Sequence, residues 1–185
     1  SFAVHNALQK IFGGRFTKVR PAAVELHTSL SVFRDQEIRT AVAPDKDSER
    51  TFLPAPLELQ GKLLLADRGY WDLGYFARVD EAGGFFLARG KTGLNPRVLA
   101  VRGPRRTYPR FAGRPLKEVL HQLPHQRLDL LVEWERAAGV SFRLRLVLVW
   151  NHHTREYMIL GTNVPRSLLT SYQIARMYHL RWQIE

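Results

Sequence analysis

A run of four apolar residues, Leu63-Leu64-Leu65-Ala66, stops abruptly at Asp67-Arg68-Gly69-Tyr70. Its brevity, continuity and flanking turn residues mark a strand buried on both faces, with an aspartate at its carboxyl end. A helix follows over 71–82, closed by Gly83-Gly84, and Phe85-Phe86-Leu87-Ala88 reads as the next strand. Strand, helix, strand sets the fold class as α/β.

The other elements fit around this unit. Over 22–33 the apolar Val24, Leu26, Leu30 and Val32 alternate with Glu25, His27, Ser29 and Ser31, the period of a half-buried strand. The stretch 44–56 has turn chemistry and bridges two strands. Residues 128–134 and 142–150 alternate, and 157–160 is a third strand candidate, so about 95–163 reads as mostly β. Thr170 and Gln173 have the spacing of a capping box that starts the last helix, with Leu169 placed to staple against Ile174. On that helix Leu169, Met177, Leu180 and Ile184 form one stripe. Tyr178, Arg181 and Glu185 fall together on another face.

Charge points to the kind of partner. Lys+Arg 28 against Asp+Glu 17 leaves a formal net charge of +11, which favours polyanions such as nucleic acid or an anionic membrane surface. Between residues 82 and 117 there is no acidic side chain, while Arg89, Lys91, Arg97, Arg102, Arg105, Arg106, Arg110, Arg114 and Lys117 supply nine positive charges. With Tyr108 and Phe111 interleaved, this segment is a candidate DNA track, cations for phosphates and aromatics for unpaired bases. Cysteine is absent, which excludes a disulfide framework, a thiolate zinc site and a cysteine nucleophile, and fits an intracellular chain. No apolar run approaches the ~18 residues of a membrane span and no signal peptide opens the chain. With 45% hydrophobic residues the chain can build a core and is no disordered tail. It begins without Met and ends inside a helix, the pattern of a piece of a longer protein.

Two acidic residues stand where chemistry is placed. Asp67 ends a buried strand, where open α/β sheets carry functional groups, and Glu185 lies beside Arg181 on a polar helical face. Carboxylates suit hard cations such as Mg²⁺, and phosphate is the natural companion in a basic protein. Two such ions can activate an attacking oxygen and stabilise a leaving one at phosphorus. Two carboxylates are barely enough, so a third is sought. His121 and His125 have the spacing of a zinc pair, but Pro124 interrupts it; the doublet His152-His153 has no partner at ligand spacing, and both read as polar surface. No Gly-x-Ser-x-Gly, Walker loop or dinucleotide fingerprint is present, which removes those hydrolase, nucleotide-triphosphatase and dehydrogenase readings.

The residues around these two carboxylates carry a resemblance. Leu64-Leu65-Ala66-Asp67-Arg68-Gly69-Tyr70 resembles the second-aspartate motif of bacterial insertion-sequence transposases of the DDE type, and Tyr178-His179-Leu180-Arg181-Trp182-Gln183-Ile184-Glu185 resembles their Tyr-x₂-Arg-x₃-Glu-x₆-Lys signature. Gly161-Thr162-Asn163 is similar to the family as well. The resemblance implies an RNase H-like mixed sheet flanked by helices, with a β-rich insertion before the last catalytic helix: core over 1–94, insertion over 95–163, catalytic helix over 164–185. The family's first aspartate would lie just before Ser1, and the signature lysine seven positions after Glu185. Asp35, Asp45 and Asp47 lie in polar turn-like stretches too close to Asp67 to replace the former.

By this resemblance Asp67 and Glu185 are catalytic carboxylates that hold Mg²⁺, with Mn²⁺ as a substitute, and Tyr178 and Arg181 contact DNA phosphates. Arg68 either pairs with Asp67 or makes a further DNA contact, and Trp182 belongs to the core. The implied function is DNA binding with metal-dependent phosphodiester cleavage and strand transfer, in a cytoplasmic protein acting as a homo-oligomer on double-stranded DNA and lacking any membrane partner; the fragment alone, without the first aspartate, is expected to be inactive. The alternatives are a catalytically inactive DNA-binding remnant and an RNase H-like nuclease without strand transfer.

Overall fold

The computed structural model describes residues 1–30, 38–135 and 141–183. The chain divides into two compact units, Ser1–Leu53 and Pro54–Glu185.

The first unit holds an antiparallel sheet in the order β1-β2-β3, with β1 Phe2–Ala3, β2 Ala23–Leu30 and β3 Ile38–Pro44. Leu26 faces Val42 and His27 faces Ala41 across the β2–β3 pair. The alternation expected over 22–33 is present as far as Leu30, but its faces are reversed: His27 is buried, stacked on Phe52 with ring centroids 3.9 Å apart, whereas Leu26 is 55% exposed. Residues 31–33, at the end of that expected strand, and Asp35 lie outside the described residues. Asp45, expected in a polar turn, is buried and accepts from the Arg15 backbone N–H at 3.2 Å. Its neighbouring 3₁₀ turns at 49–52 and 56–59 occupy the expected linking stretch.

The second unit is built on one mixed sheet of six strands in the order β4-β5-β9-β8-β7-β6. The strands are β4 Leu63–Ala66, β5 Phe85–Arg89, β6 Arg97–Arg102, β7 Leu128–Glu135, β8 Ser141–Asn151 and β9 Glu156–Thr162. β4 and β5 run parallel, joined by α1 Leu73–Glu81, and the rest pair antiparallel. This mixed α/β sheet with flanking helices fits the RNase H-like class. β4 differs from the doubly buried central strand expected of it. Among the described residues it is terminal in its sheet and pairs with β5 alone, and it has Leu63, Leu64 and Leu65 half-buried with Ala66 buried. The β-rich stretch is continuous with the sheet, because its last strand β9 pairs with β5 through Leu87↔Thr162, Ala88↔Gly161 and Arg89↔Leu160.

α1 starts two residues later than the pattern suggested. Asp72 caps it by accepting from the Tyr75 backbone N–H at 2.9 Å, and Trp71, one residue earlier, is buried as an anchor. Gly83 closes the helix at φ +71°, a conformation that costs a side-chain-bearing residue more. Phe76 from α1 stacks on Phe86 of β5 at 4.2 Å, with Trp71 edge-on to Phe76. A short α2, Leu116–Val119, precedes β7. α3, Ser171–His179, carries the full capping box between Thr170 and Gln173 and buries Ile174, Ala175 and Tyr178, with Leu169 and Met177 packed on the same core cluster. It then tightens into a 3₁₀ turn over Leu180–Gln183. Among the described residues no helix is long and apolar enough to cross a membrane.

Candidate active site

β4 delivers Asp67 at its carboxyl end, and α3 with its 3₁₀ extension delivers Tyr178 and Arg181 to the same point. The Tyr178 hydroxyl donates to Asp67 Oδ1 at 3.0 Å. Arg181 Nη2 lies 3.7 Å from Asp67 Oδ2, with its guanidinium 5.6 Å from the Tyr178 ring centroid. Residues three apart on a tight helix share a face, so tyrosine and arginine reach one carboxylate together.

The electrostatics favour an ionised Asp67. Burial pushes its pKa up, but the Arg68 backbone N–H, the Arg181 guanidinium, the Tyr178 hydroxyl and the charge of Arg89 outweigh burial and hold it below the usual carboxylate value. Tyr178 moves the other way. Burial, reinforced by the negative charge of Asp67, pushes it up to about 12, so at neutral pH it keeps the proton it donates.

Asp67 keeps 38% of its side chain exposed, against 16% for Arg181 and none for Tyr178. A half-exposed, ionised carboxylate with lone pairs beyond those engaged by Tyr178 and Arg181 fits one ligand position on a hard divalent cation. Among the described residues no group of three or more His, Asp or Glu is arranged to complete such a site. Glu185, the second carboxylate expected here, lies outside the described residues, as does the side chain of Trp182.

The remaining expectations distribute as follows. The Arg68 side chain is exposed, and the ion pair to Asp67 comes from Arg181 instead; Arg68 contributes its backbone N–H. Tyr108 and Phe111 are buried, so neither ring is available to stack on a base. They pack in the core with Arg106 and Arg110 lying over their rings at 4.9 and 4.7 Å. Within the basic segment Arg97 is neutralised by Glu135 and Arg114 by Glu118, whereas Arg102, Arg105, Arg106 and Arg110 are exposed. His125 stacks on Trp150 at 3.8 Å.

Two further groups support the site: the first was marked in the sequence by its resemblance to the family, with no role given to it, and the second was missed there. Gly161-Thr162-Asn163 splices β9 to β5. Asn163 Oδ1 accepts from the Phe86 backbone N–H at 2.9 Å, its Nδ2 donates to Gly84 O and Asp80 Oδ1, and Thr162 Oγ1 donates to Phe86 O. The second support is Arg145 on β8. It binds Asp129 through both guanidinium edges, Nε to Oδ1 at 3.0 Å and Nη2 to Oδ2 at 2.8 Å, and Nη1 donates to the carbonyls of Val164 and Leu169. That arginine ties the segment preceding α3 onto β7 and β8. The signal was present in the sequence: an arginine at 145 on the same face as Val147, which is fully buried. A cleft of about 390 Å³ lined by Arg102, Asp129, Arg143, Arg145, Asn163 and Arg166 lies beside these supports and does not include Asp67.

Comparison with known proteins places this geometry. The chain is 23% identical over 224 residues to the transposase for insertion sequence element IS231F of Bacillus thuringiensis subsp. israelensis, an alignment covering all of this chain and 46% of that protein. The chain thus spans about half the length of the curated relative it matches. The family model described as the transposase DDE domain matches residues 13–185, which include both the Asp67 strand and the helix of Tyr178 and Arg181, and on that match the chain belongs to the transposase DDE domain family.

Proposed function

We propose that this chain is the catalytic part of a transposase that cuts a phosphodiester at a transposon end and joins the freed 3′-hydroxyl to target DNA. The observation that carries the reading is the convergence of Tyr178 and Arg181 on an ionised Asp67 at the tip of a sheet strand. Membership of the transposase DDE domain family supports DNA as the substrate class and a divalent metal as the cofactor class.

In this reading Asp67 and Glu185 hold divalent cations, Mg²⁺ with Mn²⁺ as a substitute, beside a further carboxylate of the whole protein. The bound ions supply Lewis-acid activation of the attacking oxygen and charge stabilisation of the leaving one. Tyr178, expected to contact a DNA phosphate, is fully buried with its hydroxyl on Asp67, so it serves instead by orienting Asp67 and holding its charge. Arg181, beside Asp67 and with the planar fork that suits phosphate oxygens, contacts a substrate phosphate. Arg68 and the exposed arginines of 102–110 add contacts to the DNA backbone, which position it without reading its sequence. The whole protein acts in the cytoplasm as a homo-oligomer on paired DNA ends.

The test is Asp67→Asn in the full-length protein. The variant is expected to bind transposon-end duplex with near-normal affinity while cleavage and strand transfer both disappear. Binding that falls in proportion to activity would overturn the assignment, and cleavage without joining in the parent protein would leave a nuclease.

A further inference from the structure

The arginines of the second unit divide into two kinds. Arg97, Arg114, Arg143 and Arg145 each meet a carboxylate, Glu135, Glu118, Glu133 and Asp129, and so do Arg166, at 3.9 Å from Asp129, and Arg181, at 3.7 Å from Asp67. Arg127 and Arg176 meet none among the described residues. Both lie against the ring of Tyr172 instead, at 5.1 and 5.7 Å from its centroid, and Arg127 Nε donates to Ser171 Oγ at 3.3 Å. Two like charges held on one ring repel each other, and the negative face of the ring offsets only part of that repulsion.

The chain along α3 adds no acidic residue of its own. From residue 157 to 184 the sequence has no acidic side chain, only Arg166, Arg176, Arg181 and His179. α3 presents Tyr172, Arg176 and His179 on its exposed side, Tyr172 being 51% exposed, while Ile174 and Tyr178 on its other side enter the core. One helix therefore carries a buried face that fixes Asp67 and an outer face whose Arg176 meets no carboxylate among the described residues.

We propose that this outer face, Tyr172, Arg176 and His179 with Arg127 beside them, is a contact surface for the DNA phosphate backbone. It rests on the reading of the chain as a transposase domain and adds a track separate from the basic segment 82–117. The partner follows from charge complementarity: guanidinium forks without carboxylates match phosphate oxygens, and the tyrosine ring holds both forks in place before a phosphate arrives. Position adds a constraint. Tyr172 precedes Tyr178 by six residues, about 9 Å along a helix, roughly the rise of three base pairs. A duplex lying along α3 with a phosphate at Asp67 therefore presents backbone to this face a few nucleotides from the bond to be cut.

The test is the salt dependence of binding by the full-length protein, read by fluorescence anisotropy on a short labelled duplex of arbitrary sequence. Each phosphate contact contributes about 0.9 to the slope of log affinity against log salt, so Arg127→Gln with Arg176→Gln is expected to flatten it by about 2. Arg176→Lys, which keeps the charge, is expected to keep the slope, and Arg176→Glu to weaken binding further. An unchanged slope and affinity in a double variant with a wild-type circular dichroism melt would overturn the proposal. Should Arg127→Gln lower the melt, exposed Arg176→Glu decides alone: loss of affinity supports the surface and unchanged affinity rejects it. Asp67→Asn, measured alongside, separates the two readings. Cleavage surviving in that variant would remove the catalytic assignment and leave the salt slopes to decide this surface.

Discussion

Tyr178 and Asp67, 111 positions apart in the chain, share a hydrogen bond of 3.0 Å between phenol and carboxylate. The bond joins the tip of β4 to the end of α3, and it sets the protonation of both groups in opposite senses. Asp67 is held ionised and Tyr178 protonated. A donor that cannot ionise at neutral pH gives the carboxylate a fixed orientation and leaves its remaining lone pairs free.

Tyr178→Phe removes the hydroxyl and keeps the ring in the core. The expected cost is about 1 kcal/mol of stability, the usual net value of one hydrogen bond. Asp67 loses one of the groups that hold its pKa down, so its titration moves upward. A depressed carboxylate contributes stability that is present above its unfolded value of 3.8 and is lost as pH falls through its folded value, so the variant loses that contribution sooner on acidification. Carbon-detected NMR of the aspartate carboxyls reads the shift directly. An unmoved Asp67 titration would show that the phenol does not control the site.

Arg145→Met tests the clamp that seats α3. The side chain removed is 9% exposed and makes four hydrogen bonds, two to Asp129 and two to the carbonyls of Val164 and Leu169. Losing it strands a buried carboxylate, with only Arg166 at 3.9 Å in partial compensation, and the expected loss is about 3–5 kcal/mol in urea unfolding. Asp129→Asn in the same background should recover part of that loss, because the uncompensated charge goes with it. No recovery in the double variant would assign the cost to packing alone.

The start and cap of α3 were legible, because Thr170 and Gln173 act on backbone only three residues away and need no tertiary partner, whereas Tyr178, read on the polar face with Arg181, turns into the core. The strands over 85–89, 128–135, 141–151 and 156–162 were legible by their apolar runs and alternation. What alternation does not contain is the identity of the neighbouring strand or face. β4 read as central because Leu63, Leu64 and Leu65 are all apolar, yet they are half-buried at the end of their sheet. Tyr108 and Phe111 read as exposed because arginines surround them, yet those arginines lie over the rings while the rings enter the core. At the site, Asp67 was marked by its place after a strand and Tyr178 and Arg181 by their spacing. Their bond to one another depends on how sheet and helix pack, which no local pattern records.

Gly161→Ala is expected to be destabilising out of proportion to one methyl group. A Cβ at Gly161 would stand 2.5 Å from one Trp71 ring carbon and 2.7 Å from another, and the indole is a rigid buried plate with no flexible end to move aside. Either the indole shifts from Phe76, or β9 moves from β5 at the Ala88↔Gly161 pair. Overpacking of this kind costs about 1–3 kcal/mol, read as a lowered urea midpoint with tryptophan fluorescence reporting the displaced indole. Trp71→Phe together with Gly161→Ala should restore part of the loss, since the smaller ring vacates the space. A neutral single variant would show that the indole is not fixed against β9.

Alkaline pH should unfold the second unit more steeply than its arginine-rich surface would suggest. Burial pushes Tyr75, Tyr157 and Tyr178 each up to about 12 from an ordinary 10.0, against the opposing charge of Arg78 at Tyr75 and a backbone hydrogen bond at Tyr157, and with the charge of Asp67 reinforcing it at Tyr178. The sign follows from proton linkage. A group whose folded pKa is raised contributes stability that is complete below the unfolded value and is lost as pH climbs to the folded one. Stability therefore falls between pH 10 and about 12, as the unfolded chain releases protons that the folded chain retains. Each tyrosine contributes up to about 1.4 kcal/mol per pH unit across that window. Tyr178→Phe removes one of the three, so the variant's stability should decline less steeply with pH even though it starts lower. Urea unfolding at a series of alkaline pH values, with tyrosinate absorbance followed in parallel, measures both slopes. Parallel slopes for wild type and variant would mean that Tyr178 titrates alike in folded and unfolded chains, and so that Asp67 does not sit beside it with its charge intact.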